Sequence, residues 1–468
     1  MFLRQFLLSI VVAATVHSAQ WLRLKSANFE LITTSGESQG REALQHFEQV
    51  ADFFKQLNQT ASASPIPIRI ILFADAKQFA PYRYNNAAAA FFRIAPDADY
   101  IVLSGASKEL YTIALHEYVH LLIRRSRRTL PLWLEEGFAD LFSTLKPVGN
   151  QTQIGAAPPG RTQRLIIGQL LPLRVLISAD RNSPHYNEAS RMGLFYSEAW
   201  ALTHMLRLSN AFRPKFETFF NLVLAGHSTE DALEKAYGRS LGEVEGYLMA
   251  YLARGRLSLA LVPISLKKEM PTPLLLPDAD YFARLSLATL LLATDPSKAV
   301  EQLQAMKEEF PSRPEITTSL AYHWASTGKA PQAMDAMAQA ISMGYKNPRL
   351  YKDYAQMLLS TGNTSLFLIN ARRQLELEPD DHEQRLRIAA VLFQMADYSQ
   401  ALGELKKIPN PPSDMLARYY QGIAACSIKL GDWAELNRAL EELRKVSHKP
   451  EELQELNKLD AEAKKRSP

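Results

Sequence analysis

One cysteine, Cys426, stands in a chain of 468 residues, so no disulfide framework braces the fold. A lone thiol suits either a reducing compartment or an exported protein that avoids cysteine. Charge of one sign is also missing: 53 Lys and Arg against 49 Asp and Glu leave +4. So small an excess does not favour nucleic acid, and no nucleic-acid partner is expected. Long apolar runs are scarce. The stretch from Phe6 to Val16 falls short of the roughly 20 residues that cross a bilayer. What remains is ordinary: 47% apolar and 22% charged residues exclude a disordered chain, and the length allows about two or three domains.

The N-terminus carries a three-part pattern. Arg4 precedes the Phe6–Val16 run, and small residues follow at Ser18 and Ala19. This is the layout of a secretory signal peptide over residues 1–19. No cysteine stands at the cleavage site, so neither a lipid nor a transmembrane anchor is expected after processing. The expected location is the periplasm or the exterior.

The chemistry centres on His116-Glu117-Tyr118-Val119-His120, a literal H-E-x-x-H. Residues four apart share one helix face, so His116 and His120 can offer nitrogens to a single metal. Glu117 lies beside the first ligand, placed to act on water. Zinc keeps three protein ligands and one open position in catalytic sites, so a third ligand is required. Glu136 is the candidate. Asp140, four residues on, can hold a ligand histidine through its second nitrogen. Ser107 is a plausible N-cap, and Leu110, Ile113, Ala114, Leu121 and Leu122 follow helical spacing.

With Trp133-Leu134-Glu135-Glu136-Gly137-Phe138-Ala139-Asp140 downstream, the segment resembles the gluzincin metallopeptidases, particularly the peptidase-MA-like group of bacterial proteins. The resemblance covers residues 20–256 and is specific over 113–142. It implies an α+β, thermolysin-like domain, with zinc on His116, His120 and Glu136 and with Glu117 as the catalytic base. Tyr196-Ser197-Glu198-Ala199 resembles the tyrosine-led helix downstream of the ligands in this family. Tyr196 is then either an oxyanion donor or a packed aromatic. The G-x-M-E-N segment of gluzincin aminopeptidases is absent, which tilts the expectation toward an endopeptidase.

Around the motif, Trp21 to Thr34 alternates as a strand, Arg41 to Leu57 reads as an amphipathic helix, and Ile66 to Phe73 as a second strand. The resemblance implies a substrate-binding sheet edge, expected between Ala87 and Leu103. Arg124-Arg125-Ser126-Arg127-Arg128 is a solvated turn or a basic rim for acidic substrates. Gly137, costly inside a helix, suggests a close approach of the two ligand helices. His185 and His204 read as structural. Pro263, Pro271, Pro273 and Pro277 mark a linker over 257–278.

Beyond the linker, Leu287, Ala321, Ala355, Ala389 and Ala424 recur at spacings of 34, 34, 34 and 35. Thr294, Gly328, Gly362, Ala396 and Gly431 keep the same beat at the turn. A 34-residue helix-turn-helix period resembles TPR repeats, about five of them over 279–463. Stacked repeats form an all-α solenoid with a concave face for a peptide or protein partner. The expectation is an exported zinc metalloprotease acting on a protein or peptide substrate, with a TPR domain recruiting substrate or partner. The alternatives are a catalytically silent TPR scaffold of the cell envelope and an exopeptidase.

Overall fold

The computed structural model describes residues 20–57, 64–83, 88–126, 129–167, 170–255, 257–266, 270–412, 414–447 and 450–466. The signal peptide expected over 1–19 lies outside these residues, as do Ala87, Arg127 and Arg128.

The apolar alternation after Gln20 folds as a hairpin, not as the single strand expected over Trp21–Thr34. Strands β1 (Leu22–Lys25) and β2 (Phe29–Thr33) pair antiparallel. The break has a physical anchor at Asn28. Its backbone and side-chain amides each donate at 2.7 Å to Glu48, a buried carboxylate on helix α1 (Glu37–Leu57). Then come β3 (Ile68–Leu72), the single turn α2 (Ala76–Phe79), β4 (Ala90–Ile94) and β5 (Asp99–Leu103). Helices α3 (Lys108–Arg125) and α4 (Leu132–Ser143) follow, then the short strands β6 (Lys146–Val148) and β7 (Gln151–Ile154).

A helical lobe comes next: α5 (Arg161–Ile167), α6 (Leu173–Ser178), α7 (Pro184–Asn187), α8 (Ala189–Leu208), α9 (Phe216–Leu224), α10 (Thr229–Tyr237) and α11 (Leu241–Ala253). Two of these helices carry side-chain caps that Ser-x-x-Asp and Ser-x-x-Glu spacings encode. Ser228 accepts from the Asp231 amide, and Ser240 and Glu243 form a capping box.

The interval 257–278, expected as a linker, adds one strand to each sheet: β8 (Ala260–Val262) and β9 (Leu274–Leu276). The small sheet runs β6-β7-β8 and the large one β4-β5-β3-β2-β1-β9. Pro273 and Pro277 bracket β9, which keeps this edge strand too short to recruit another chain.

In the large sheet, β2, β3 and β5 are parallel, and β4 closes one edge antiparallel to β5. Successive residues face opposite sides. Leu31, Ile70 and Ile101 pack with Phe47 of α1 and with Leu115 and Tyr118 of α3. Ile32, Ile71, Tyr100 and Val102 pack on the other face with Phe73, Phe79 and Phe91. Burial on both faces explains why β3 and β5 are apolar at every position but Arg69 and Asp99.

The second face is covered by helix α12 (Ala279–Leu291), through Ala283 and Leu290. It opens five helical hairpins, completed by α13 (Pro296–Glu309), α14 (Pro314–Ser326), α15 (Ala330–Ser342), α16 (Pro348–Ser360), α17 (Thr364–Leu377), α18 (His382–Gln394), α19 (Tyr398–Lys406), α20 (Leu416–Leu430) and α21 (Trp433–Val446). Helix α22 (Pro450–Arg466) packs on the last hairpin. Ala321, Ala355, Ala389 and Ala424 are all buried, as the period requires. Leu287 departs from them: it is half-buried and packs toward the sheet. No helix among the described residues is long and apolar enough to cross a membrane.

Candidate metal centre

Ser107 caps α3 by accepting from the Leu110 amide at 3.3 Å. The buried stripe Tyr111, Ala114, Leu115, Tyr118 and Leu121 fastens the helix to the sheet. Ile113, placed on that face by helical spacing, is instead 38% exposed. His116 and His120 therefore stand off that stripe, toward α4. Helix α4 is buried almost throughout, with Trp133 donating from its indole to Thr229 at 3.1 Å.

The three expected ligands converge. His116 Nε2 and His120 Nε2 are 3.0 Å apart, and Glu136 Oε2 lies 3.1 Å from His120 Nε2 and 3.3 Å from His116 Nε2. Ligand atoms about 2.0–2.1 Å from a tetrahedral zinc stand roughly 3.3–3.4 Å apart, so this triangle fits such an ion. Among the described residues these three form the one group of His, Cys, Asp or Glu placed to hold a metal. Glu136 is buried, while both imidazoles keep some exposure, so the triangle opens to solvent on the histidine side.

Each histidine is braced through its second nitrogen. His116 Nδ1 meets Asp140 Oδ1 at 2.8 Å, and His120 Nδ1 meets Glu135 Oε1 at 3.2 Å. Such carboxylates hold the proton on Nδ1 and turn the Nε2 lone pair toward the ion. Behind them stand two arginines: Arg161 Nε donates to Asp140 at 2.6 Å, and Arg181 meets Glu135 at 2.8 Å. The Tyr186 hydroxyl donates to Glu136 Oε1 at 3.1 Å.

Electrostatics follow from crowding. Burial would lower His116, but Asp140 and Glu136 outweigh it and lift the imidazole to about 10. His120 is likewise lifted to about 9 by Glu135 and Glu136. Burial would raise Glu136, yet the two histidines hold it well below the carboxylate range. Glu117 moves the other way: burial raises it, against the opposing pull of the adjacent imidazoles and the Phe92 backbone amide. Tyr196 lies with its ring centroid 6.2 Å from that of His116 and 5.9 Å from that of Tyr186. Burial and the Glu136 charge raise its phenol far above the ordinary value, so it stays a donor.

Other sequence candidates fall elsewhere. His204 is fully buried between the Gly155 carbonyl, 2.9 Å away, and the Tyr251 hydroxyl, at 2.8 Å. Arg125, from the basic run, is tied into the structure by Asp99 and the Ile66 carbonyl. Gly137 does mark a close approach, though to α8 and not to the other ligand helix. A Cβ there would lie 2.5 Å from the Ala199 carbonyl oxygen and collide with Thr203. Arg161 and Arg181 lie between Gln151 and Pro184, where glycines and prolines read as loop, and Tyr186 just beyond it; no spacing in the sequence announces them.

No protein-family model matches the chain, and no curated protein does. Among solved structures, the chain is similar to YrrB, described as a TPR protein with an unusual peptide-binding site (16% identity, 37% of this chain, 90% of that one, TM-score 0.33). It is also similar to a tetratricopeptide repeat protein from Parabacteroides merdae (18%, 40% and 74%, TM-score 0.32) and to MamA (11%, 40% and 97%, TM-score 0.29). The helical array is TPR-like. Five hairpins on a 34-residue period carry that statement, independently of these matches.

Proposed function

We propose that the chain is a zinc-dependent peptide hydrolase whose TPR-like array recruits a protein substrate or partner. The observation that carries this reading is the meeting of His116 Nε2, His120 Nε2 and Glu136 Oε2 within 3.0–3.3 Å, with Glu117 beside them. Bound zinc supplies Lewis acidity, making water nucleophilic near neutral pH and polarising a carbonyl.

The remaining work belongs to side chains. Glu117 takes a proton from the attacking water and delivers it to the departing amine, a task suited to a carboxyl whose pKa burial has raised. Asp140 and Glu135 fix the imidazoles. Tyr196 offers a neutral phenol to the developing oxyanion.

Strand β4 offers the substrate backbone an edge. The Ala95 amide to Ala98 carbonyl and Ser104 amide to Ala89 carbonyl bonds set the phase of its pairing with β5. Ala90 and Ile94 thus turn their peptide groups outward, where an extended chain can add as a strand, while the Phe92 amide is turned toward Glu117.

The test is Glu117→Gln. The variant should keep zinc by metal analysis and lose at least about 100-fold in cleavage of an unfolded protein. Persistent turnover would remove Glu117 from the role of base. Comparing an end-blocked peptide with its free form separates endopeptidase from exopeptidase. A second reading, a non-catalytic scaffold at the cell envelope, is supported by the extent of the array. It gains if zinc binds and neither peptide is cut.

A further inference from the structure

Asp99 opens β5 and is 2% exposed. Its two carboxylate oxygens answer to different parts of the molecule. Oδ2 accepts from Arg125 at 2.7 and 3.0 Å, and Arg125 belongs to the last turn of the metal-ligand helix α3. Oδ1 meets Arg349 at 2.8 Å, and Arg349 belongs to the first turn of α16 in the third hairpin of the array. Both guanidiniums bind one buried carboxylate, so how each is seated constrains the other.

The same loop grips the sheet a second time. Arg349 also donates to the Ala95 carbonyl, and Asn347 donates to the Pro96 carbonyl at 2.8 Å. Residues Ala95–Ala98 form the turn between β4 and β5. Strand β4 in turn packs Ala90 and Phe92 against Tyr111, Ala114 and Leu115 of α3. Two routes therefore run from one arginine of the array to α3: through Asp99 to Arg125, and through the β4 turn to the strand packed on the helix.

We infer that Arg349 is a positioning residue for the metal centre, so that the docking of the third hairpin sets where α3 holds its ligands. A partner that draws this hairpin off the β4–β5 turn loosens the centre, and one that presses it home tightens it. This inference rests on reading α3 as a metal-ligand helix.

The experiment measures zinc dissociation constants of the full chain by chelator competition, alongside the visible spectrum of the cobalt-loaded protein. Arg349→Met and Arg125→Met should each weaken zinc by about 3- to 10-fold. The double variant should fall short of the product of the two, because both changes act on one carboxylate. Arg349→Lys should recover part of the loss, since an ammonium reaches Asp99 without also gripping Ala95. Arg418→Met, which breaks a bridge to Glu383 within the array, should change nothing.

Zinc binding by Arg349→Met within twofold of the wild type, or a multiplicative double variant, overturns the inference. If the wild type holds no zinc, the metal reading fails, and hydrogen exchange decides the positioning role instead. Faster exchange over residues 108–125 in Arg349→Met, with the far hairpins unchanged, supports it. Equal exchange there refutes it.

Discussion

Glu198 and His204 share helix α8, and burial pushes them in opposite directions. Burial raises Glu198 from 4.5 to about 7, helped by Glu245 and opposed by the Leu171 amide. It lowers His204 from 6.5 to about 4. For the glutamate, the folded state holds the proton more tightly, so its contribution to stability is full below pH 4.5 and drains as pH rises through 7. For the histidine, the contribution is full above pH 6.5 and drains as pH falls toward 4. The two slopes oppose each other in the wild type. Glu198→Gln should remove the first, raising stability by about 1–3 kcal/mol at pH 8 and by little at pH 4.5. Urea midpoints at the two pH values check it; an equal shift at both would place the cause outside this titration.

The residues of the centre differed in how visible they were. His116, Glu117, His120, Glu136 and Asp140 lie within 25 residues on two helical segments, where a four-residue spacing is itself geometry. Tyr186 reaches Glu136 across 50 positions and Arg181 reaches Glu135 across 46. Contacts of that range depend on how α7 and its approach fold back, and periodicity carries no record of it. Glu48 holding Asn28 is the same case, which is why one expected strand proved to be two.

At the scale of elements, Gly137 lets α4 lie against α8 closely enough to aim Glu136. Gly137→Ala should cost about 2 kcal/mol or more through overpacking, despite alanine's better helix propensity. Zinc stoichiometry should fall with it, read by metal analysis beside a denaturation curve. The hairpin turns offer the opposite case. Gly328, Gly362 and Gly431 all have positive φ, and Ala396 takes φ +60 at the equivalent place. A Cβ is strained in that region, so Ala396→Gly should stabilise by about 0.5–1 kcal/mol. A lowered melting temperature would show that the turn tolerates its methyl group. The 34-residue beat made these turns legible; the exception at residue 396 emerged only as a backbone angle.

For the whole molecule, the prolines of 257–278 suggest separable halves, whereas the chain there is stitched into both sheets. The sheet's second face also depends on α12. Phe73, Phe79, Phe91, Tyr100 and Val102 form one cluster with Ala283 and Leu290. Buried Arg69 bridges the same seam, bonded to Asp97 and Tyr100 and within 3.5 Å of Ser286. Ending the chain at Pro277 should therefore yield an aggregating protein without native near-UV circular dichroism. A soluble product with the full-length melting temperature would show that the face closes without the array. Composition cannot reveal this, because a proline-rich stretch looks the same whether it swings free or is held at both edges.

The first hairpin's dual membership has a practical corollary for recombination. A chimera that exchanges this array for a foreign one has its natural crossover after Leu291, not among the prolines. The donor must also supply a guanidinium where Arg349 stands. By the same logic, ancestral shuffling of such modules would leave its scar inside a repeat, with α12 inherited alongside the sheet it covers.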